Sequence, residues 1–182
     1  MNKIEISDMK GALLLATPKL DHDPLFNNSL VYISKHSVIS GSEGMILNKP
    51  TKLEFHQLFK VIKIDNPIKV GKSALTNNMV LIGGPELVKN TFIFDESLKV
   101  RVLTENALKN LIEQEGLGDF EVSAGISSWA SGQLEKEIFE GLWLPITFDC
   151  KMIFGIPYES RYDNIVQNLG LTSYFAKQSL YD

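Results

Sequence analysis

Cysteine is almost missing. Cys150 stands alone in 182 residues, so no disulfide can form within the chain, and a reducing compartment is expected. Basic excess is missing too: 18 Lys and Arg against 22 Asp and Glu give a net charge of −4. An acidic chain has no overall attraction to phosphate, so direct DNA binding would need a local basic patch. The lysines are scattered, with Lys60 to Lys72 their loosest approach to a cluster. No apolar run reaches the roughly 18 residues that a membrane-spanning helix needs. The charged first ten residues, with Lys3, Glu5, Asp8 and Lys10, are not followed by an apolar run of signal-peptide length. A cytoplasmic protein is the expectation, with no membrane partner. Neither repeats nor low-complexity segments occur, and the length suits one sizeable core, hence a single domain over 1–182.

Only two tryptophans are present, and they bracket the stretch Gly125 to Trp143. Here a strand end and a turn lead into a short helix with Leu134 and Ile138 on one face. Ser131 is placed to cap its first turn and Gly141 to close its last. Earlier in the chain, Gly11 to Thr17 and Ser29 to Ser34 read as buried strands, separated by an acidic, turn-forming loop from Pro18 to Asn28. A turn at Gly41 to Gly44 precedes a third strand, Met45 to Leu47, which runs into Asn48-Lys49-Pro50. Thr51, with Glu54 three residues on, matches a capping box and predicts a helix to Asn66. Lys69 to Asn78 reads as a connection, and Met79 to Ile82 as a strand ended by Gly83-Gly84-Pro85. Thr91 to Phe94 and Val100 to Leu103 predict a hairpin. A helix from Thr104 to Gly116 and a strand from Phe120 to Ile126 follow. Met152 to Phe154 is expected to be the last strand. A helix then runs from Tyr158 to Leu169, with Tyr158, Tyr162, Ile165, Val166 and Leu169 inward and Gly170 as its stop. Irregularly mixed strands and helices with local hairpins make the class α+β.

No complete catalytic constellation can be assembled. Ser127 and Ser128 follow a strand and precede a helix, but a nucleophile elbow needs glycine two residues after the serine. Trp129 and Ala130 stand there instead. Asp21, His22, Asp23 and His36 lie one sheet traverse apart, without the paired spacing of a metal site. No metal and no cofactor are expected, and Cys150 reads as a structural thiol. His56 reads as a solvated residue on the polar flank of its helix. Gly83-Gly84 fits neither a dinucleotide fingerprint nor a P-loop, though its backbone amides remain open to an anion. Asn48 and Lys49 at a strand end, and Gln133 and Glu135 at a helix start, lie where ligand contacts are placed and equally where caps are needed. The residues singled out for ligand or partner binding are Asn48, Lys49, Gly83, Gly84, Ser128, Trp129, Gln133 and Glu135.

These residues fall within motifs that resemble the YqgE/AlgH family. They are Gly11 to Pro18, Asp23-Pro24-Leu25-Phe26, Ser29 to Ile33 with His36, Gly44 to Pro50, Gly83-Gly84-Pro85, Trp129 to Glu137, and Trp143-Leu144. The chain departs from the family where Ile126-Ser127-Ser128 replaces tyrosine, alanine and glycine. It departs also near Phe94-Asp95, where the family often has leucine-histidine, and near Tyr162, where it often has a tryptophan. The resemblance implies a single α+β domain whose bent, bifurcated mixed sheet curls into a pseudo-barrel with helices around it. It implies no settled activity: members are labelled uncharacterised proteins or transcriptional regulators, the latter from a link to alginate control. The expectation is a non-enzymatic binding or regulatory domain acting through a protein or small-molecule partner. The alternative is a hydrolase- or transferase-type enzyme using Ser128, Gln133, Glu135 and Asn48.

Overall fold

The computed structural model describes residues 7–54, 69–72, 79–83, 91–95, 100–103, 120–124, 126–149, 152–153 and 155–178. Its first sheet is antiparallel, in the order β10-β3-β2-β1-β11. The strands are β1 (Ala12–Ala16), β2 (Leu30–Lys35), β3 (Ser42–Ile46), β10 (Ser127–Trp129) and β11 (Trp143–Thr147). The second sheet has the order β4-β5-β9-β6-β8-β7. It comprises β4 (Pro50–Glu54), β5 (Lys69–Lys72), β6 (Met79–Gly83), β7 (Thr91–Asp95), β8 (Val100–Leu103) and β9 (Phe120–Ala124). Its pairs are antiparallel except β5 with β9. The described α-helices are α1 (Gln133–Phe139), α2 (Tyr158–Asn168) and α3 (Thr172–Gln178), with one 3-10 turn at Pro18–Leu20.

The apolar runs that predicted β1 and β2 are buried on both faces of the first sheet. Leu13, Leu14, Leu15, Leu30, Ile33, Met45 and Ile46 form its fully enclosed centre. Each such side chain contributes about 2 kcal/mol by leaving water. Gly44 lies within this centre for a steric reason. A Cβ there would sit 2.8 Å from the Tyr32 carbonyl oxygen and from Val31 Cγ1. Helix α2 brings Tyr158, Arg161, Tyr162, Ile165 and Val166 inward at helical spacing. Arg161 is an inward charge that its sequence neighbours do not announce. Its Nε donates to the Ile156 carbonyl at 3.0 Å, its Nη1 to that of Leu47 at 2.6 Å, and its guanidinium lies 4.0 Å over the Tyr158 ring.

Five expectations need correction. The predicted helix start at Thr51 is strand β4. A capping-box pattern and strand alternation coexist in Thr51 to Glu54, and pairing with β5 decides between them. Pro50 fits there because β4 is an edge strand, where a missing N–H costs no ladder bond. The connection expected at Lys69 begins with β5, held between β4 and β9 by tertiary pairing that its polar composition does not reveal. Met152 and Ile153 form a turn rather than the last strand, with Met152 N–H donating to Asp149 O at 2.8 Å. Ile153 is apolar because it is buried. Among the described residues the last strand is β11, which tolerates Pro145 because it too lies at an edge. The sheet expected to curl into a pseudo-barrel is not closed: β10 and β11 remain its two edges. The turn predicted at Gly41 to Gly44 lies earlier, closed by mutual backbone bonds of Ser37 and Gly41, and Ser42 to Gly44 belong to β3. The helix expected over 104–116, together with His56, Gly84 and Cys150, lies outside the described residues.

Candidate functional site

Four successive antiparallel pairings relate β10 to β11, so these two edge strands run parallel, and α1 is the crossover that joins them. Register places Trp129, Gly44, Ile33, Val31, Leu14, Ala16 and Trp143 on one face of the sheet. Four strand spacings would separate the edges by about 19 Å in a flat sheet. The Trp129 and Trp143 rings nonetheless lie 6.1 Å apart, edge to face. The sheet bends enough for its edges to meet through side chains, and Phe26 packs against both rings, at 6.4 and 5.4 Å.

A carboxylate fastens this junction. Glu137 Oε2 accepts the indole N–H groups of both Trp129 and Trp143, each at 2.8 Å, and Oε1 accepts the Gln133 amide at 2.8 Å. Gln133 Oε1 in turn accepts the Ala130 N–H at 2.9 Å, which caps the turn before the helix. Ser131 does not cap. Gly132 holds the N-cap position at φ +69°, and the Ser131 hydroxyl donates to the Val38 carbonyl at 2.8 Å. Next to this bond, His36 Nε2 pairs with Glu135 Oε1 at 2.9 Å, with the imidazole wholly enclosed. Among the described residues its buried Nδ1 has no hydrogen-bond partner. At the far end of α1, Lys19 Nζ donates to the Glu140 carbonyl at 2.8 Å and the Thr17 hydroxyl to that of Gly141 at 2.7 Å. Gly141 closes the helix at φ +75°, as expected.

Of the sequence-selected residues, Trp129, Gln133 and Glu135 therefore fall in one place. Asn48 and Lys49 reach the same loop from the other side. Asn48 Oδ1 accepts the Leu30 N–H at 2.8 Å, and its Nδ2 donates to Asn28 O at 2.7 Å. Lys49 Nζ donates to Leu25 O at 2.7 Å and to Asn27 Oδ1 at 2.6 Å. The loop 23–28, with Phe26 at its centre, is thus the common ground of the two groups. Ser128 is exposed, opposite Glu43 and on the sheet face away from the tryptophans. Gly83 ends β6 in the second sheet, paired with Phe120. Among the described residues no group of three or more His, Cys, Asp or Glu side chains is arranged to hold a metal ion. Asp23 caps its own turn by accepting the Leu25 and Phe26 N–H groups. Glu137 and Phe26 were missed as site residues although both lie in quoted motifs. The available signal was the four-residue spacing of Gln133 and Glu137, which puts both on one helix face.

Comparison with known proteins identifies the family and the fold. A family model described as DUF179, AlgH-like, matches residues 13–174. A UPF0301 protein of Haemophilus influenzae is 32% identical over 180 residues, covering 92% of this chain and 94% of its own. One from Legionella pneumophila is 30% identical over 178 residues, covering 91% and 92%. In fold, the solution structure of the AlgH protein from Pseudomonas aeruginosa matches with a TM-score of 0.72 at 22% identity, over 97% of both chains. The crystal structure of a Corynebacterium diphtheriae protein matches with a TM-score of 0.67 at 17% identity, over 96% and 94%.

Proposed function

The chain belongs to the AlgH-like family, and from that premise we propose that it is a single cytoplasmic binding domain, not an enzyme, that acts through a protein partner docked on the α1 surface. What supports the reading is a division of labour on that element. The groups best suited to chemistry are spent on internal bonds: Gln133 and Glu137 on each other and the indoles, Glu135 on His36, Asn48 on the loop 23–28. Large apolar side chains point out instead. Phe139 at the end of α1 is 92% exposed, and Ile39, in the turn bonded to the start of α1, is 88% exposed. Exposed aromatic and aliphatic anchors beside satisfied polar groups are the composition of an interface. A regulatory role exerted this way requires no basic DNA-reading face, which agrees with a net charge of −4.

The enzymatic alternative would draw on Asn48 and Gln133, whose amides are already engaged. The test is crosslinking capture from cells with the intact protein and the variants Phe139→Glu and Ile39→Glu. A partner held by the parent and lost by both variants, at unchanged melting temperature, is the expected result. Equal capture by all three, or by none, would overturn the reading.

A further inference from the structure

We propose that α1 and β10 form a releasable strap across the open side of the first sheet. The unit lifts as one body, baring the β3 edge and the Trp143 indole while β1, β2 and β11 stay folded. The proposal concerns a conformational state of the free chain and does not depend on the docking reading.

The means of attachment carries this inference. α1 buries only Leu134 completely, while Gln133, Lys136 and Phe139 are exposed. β10 is three residues long and, among the described residues, pairs only with β3. With Trp129 of β10 in the core and Ile138 partly buried against it, the unit's buried apolar anchors are Leu134 and Trp129, against five buried residues in each of β1 and β2. Local opening free energies follow such burial. The unit is held by polar bonds along its length: Ser131 to Val38, His36 to Glu135, Glu137 to Trp143, and Lys19 and Thr17 to the carbonyls at its end. Hydrogen bonds hold a geometry sharply and contribute little net free energy each, because water replaces them on opening. Glu137 makes the unit cooperative. One carboxylate holds Trp129 of β10 and Trp143 of β11, so α1 cannot leave with β10 without releasing β11. Among the described residues no backbone ladder joins the two edges to oppose that release.

Hydrogen exchange read by mass spectrometry, across a series of low urea concentrations, tests the proposal on the full chain. In the parent protein, amides of 127–129 and 133–140 should exchange together through an opening with weak urea dependence, while those of β1 and β2 exchange only on global unfolding. Glu137→Gln should accelerate both segments by the same factor, about ten- to a hundredfold for loss of a charged acceptor. It should leave β1 and β2 nearly unchanged relative to the shift in global stability. Lys136→Ala, which removes only an exposed pair with Glu140, should change neither segment. Exchange of α1 and β10 at the global rate, or acceleration of α1 alone, would overturn the strap. If Glu137→Gln does not fold, the urea dependence of the parent protein decides by itself.

Discussion

Trp129 and Trp143 sit on opposite edges of a five-stranded sheet, yet their rings touch edge to face at 6.1 Å and their N–H groups share one oxygen of Glu137. The sheet is therefore finished by side chains where a barrel would be finished by backbone. Three consequences follow from that arrangement. The crossover helix lies over the junction, its carboxylate faces inward, and its apolar Phe139 faces out. The exposed apolar Phe139 and the fastening of the fold are then two sides of the same seven residues.

A shared acceptor makes a specific energetic prediction. Trp129→Phe and Trp143→Phe each keep most of the ring and remove one donor, and each should cost about 1–2 kcal/mol in urea denaturation. After either change Glu137 Oε2 still keeps one indole; after both it keeps none. The double variant should therefore lose more than the two single losses together. Strict additivity would mean that the two bonds are independent of each other.

Gly41 should tolerate no side chain. It sits at φ +89°, and a Cβ would lie 2.3 Å from the Trp129 carbonyl oxygen, a backbone atom that cannot move without dislodging β10. Gly41→Ala should cost at least about 2 kcal/mol. In a chain of this size that lowers the melting temperature by about 4–8 °C. A melt within a degree of the parent would show that the turn has room to shift.

Where the sequence was legible, the deciding forces were local. β1, β2, β6, the β7–β8 hairpin and α2 carry their own periodicity, and register with neighbours only confirmed it. β4, β5 and β11 were not legible, because a partner strand overrides a capping pattern at Thr51, a polar run at Lys69 and a proline at Pro145. The site divides the same way. Trp129, Gln133 and Glu135 stood out by composition. But Glu135, Glu137 and Glu140 are equivalent on paper, and only the bend that brings Trp143 to Trp129 selects Glu137 as the half-buried acceptor of both indoles. Phe26 could not be placed between the two rings before that bend was known.

Asn48 is tied at both ends of its amide, and the two ends make different demands. Asn48→Ala leaves the Leu30 N–H and the Asn28 carbonyl unpaired and should cost about 2 kcal/mol. Asn48→Asp keeps the acceptor but turns a second oxygen toward the Asn28 carbonyl, now 2.7 Å from the amide nitrogen it replaces. It should be no more stable than the alanine variant. Recovery of parental stability in the aspartate variant would show that only the bond to Leu30 matters.

Tyr162 supplies the pH dependence. Its hydroxyl donates to the Ala16 carbonyl, and burial, with Asp21 and Asp163 adding negative charge nearby, pushes it well above the ordinary tyrosine range. A folded-state value raised above the unfolded one gives stability that is fully present below the unfolded pKa of about 10 and is lost as pH rises beyond it. The sense is that the unfolded chain ionises first and is drawn off. At neutral pH Tyr162→Phe should cost about 1 kcal/mol, the net worth of one hydrogen bond. Above pH about 10 the parent should lose stability faster than the variant, so the gap between them narrows. Urea denaturation of both proteins from pH 7 to 11 measures it, and a gap that stays constant would place the Tyr162 hydroxyl in contact with water.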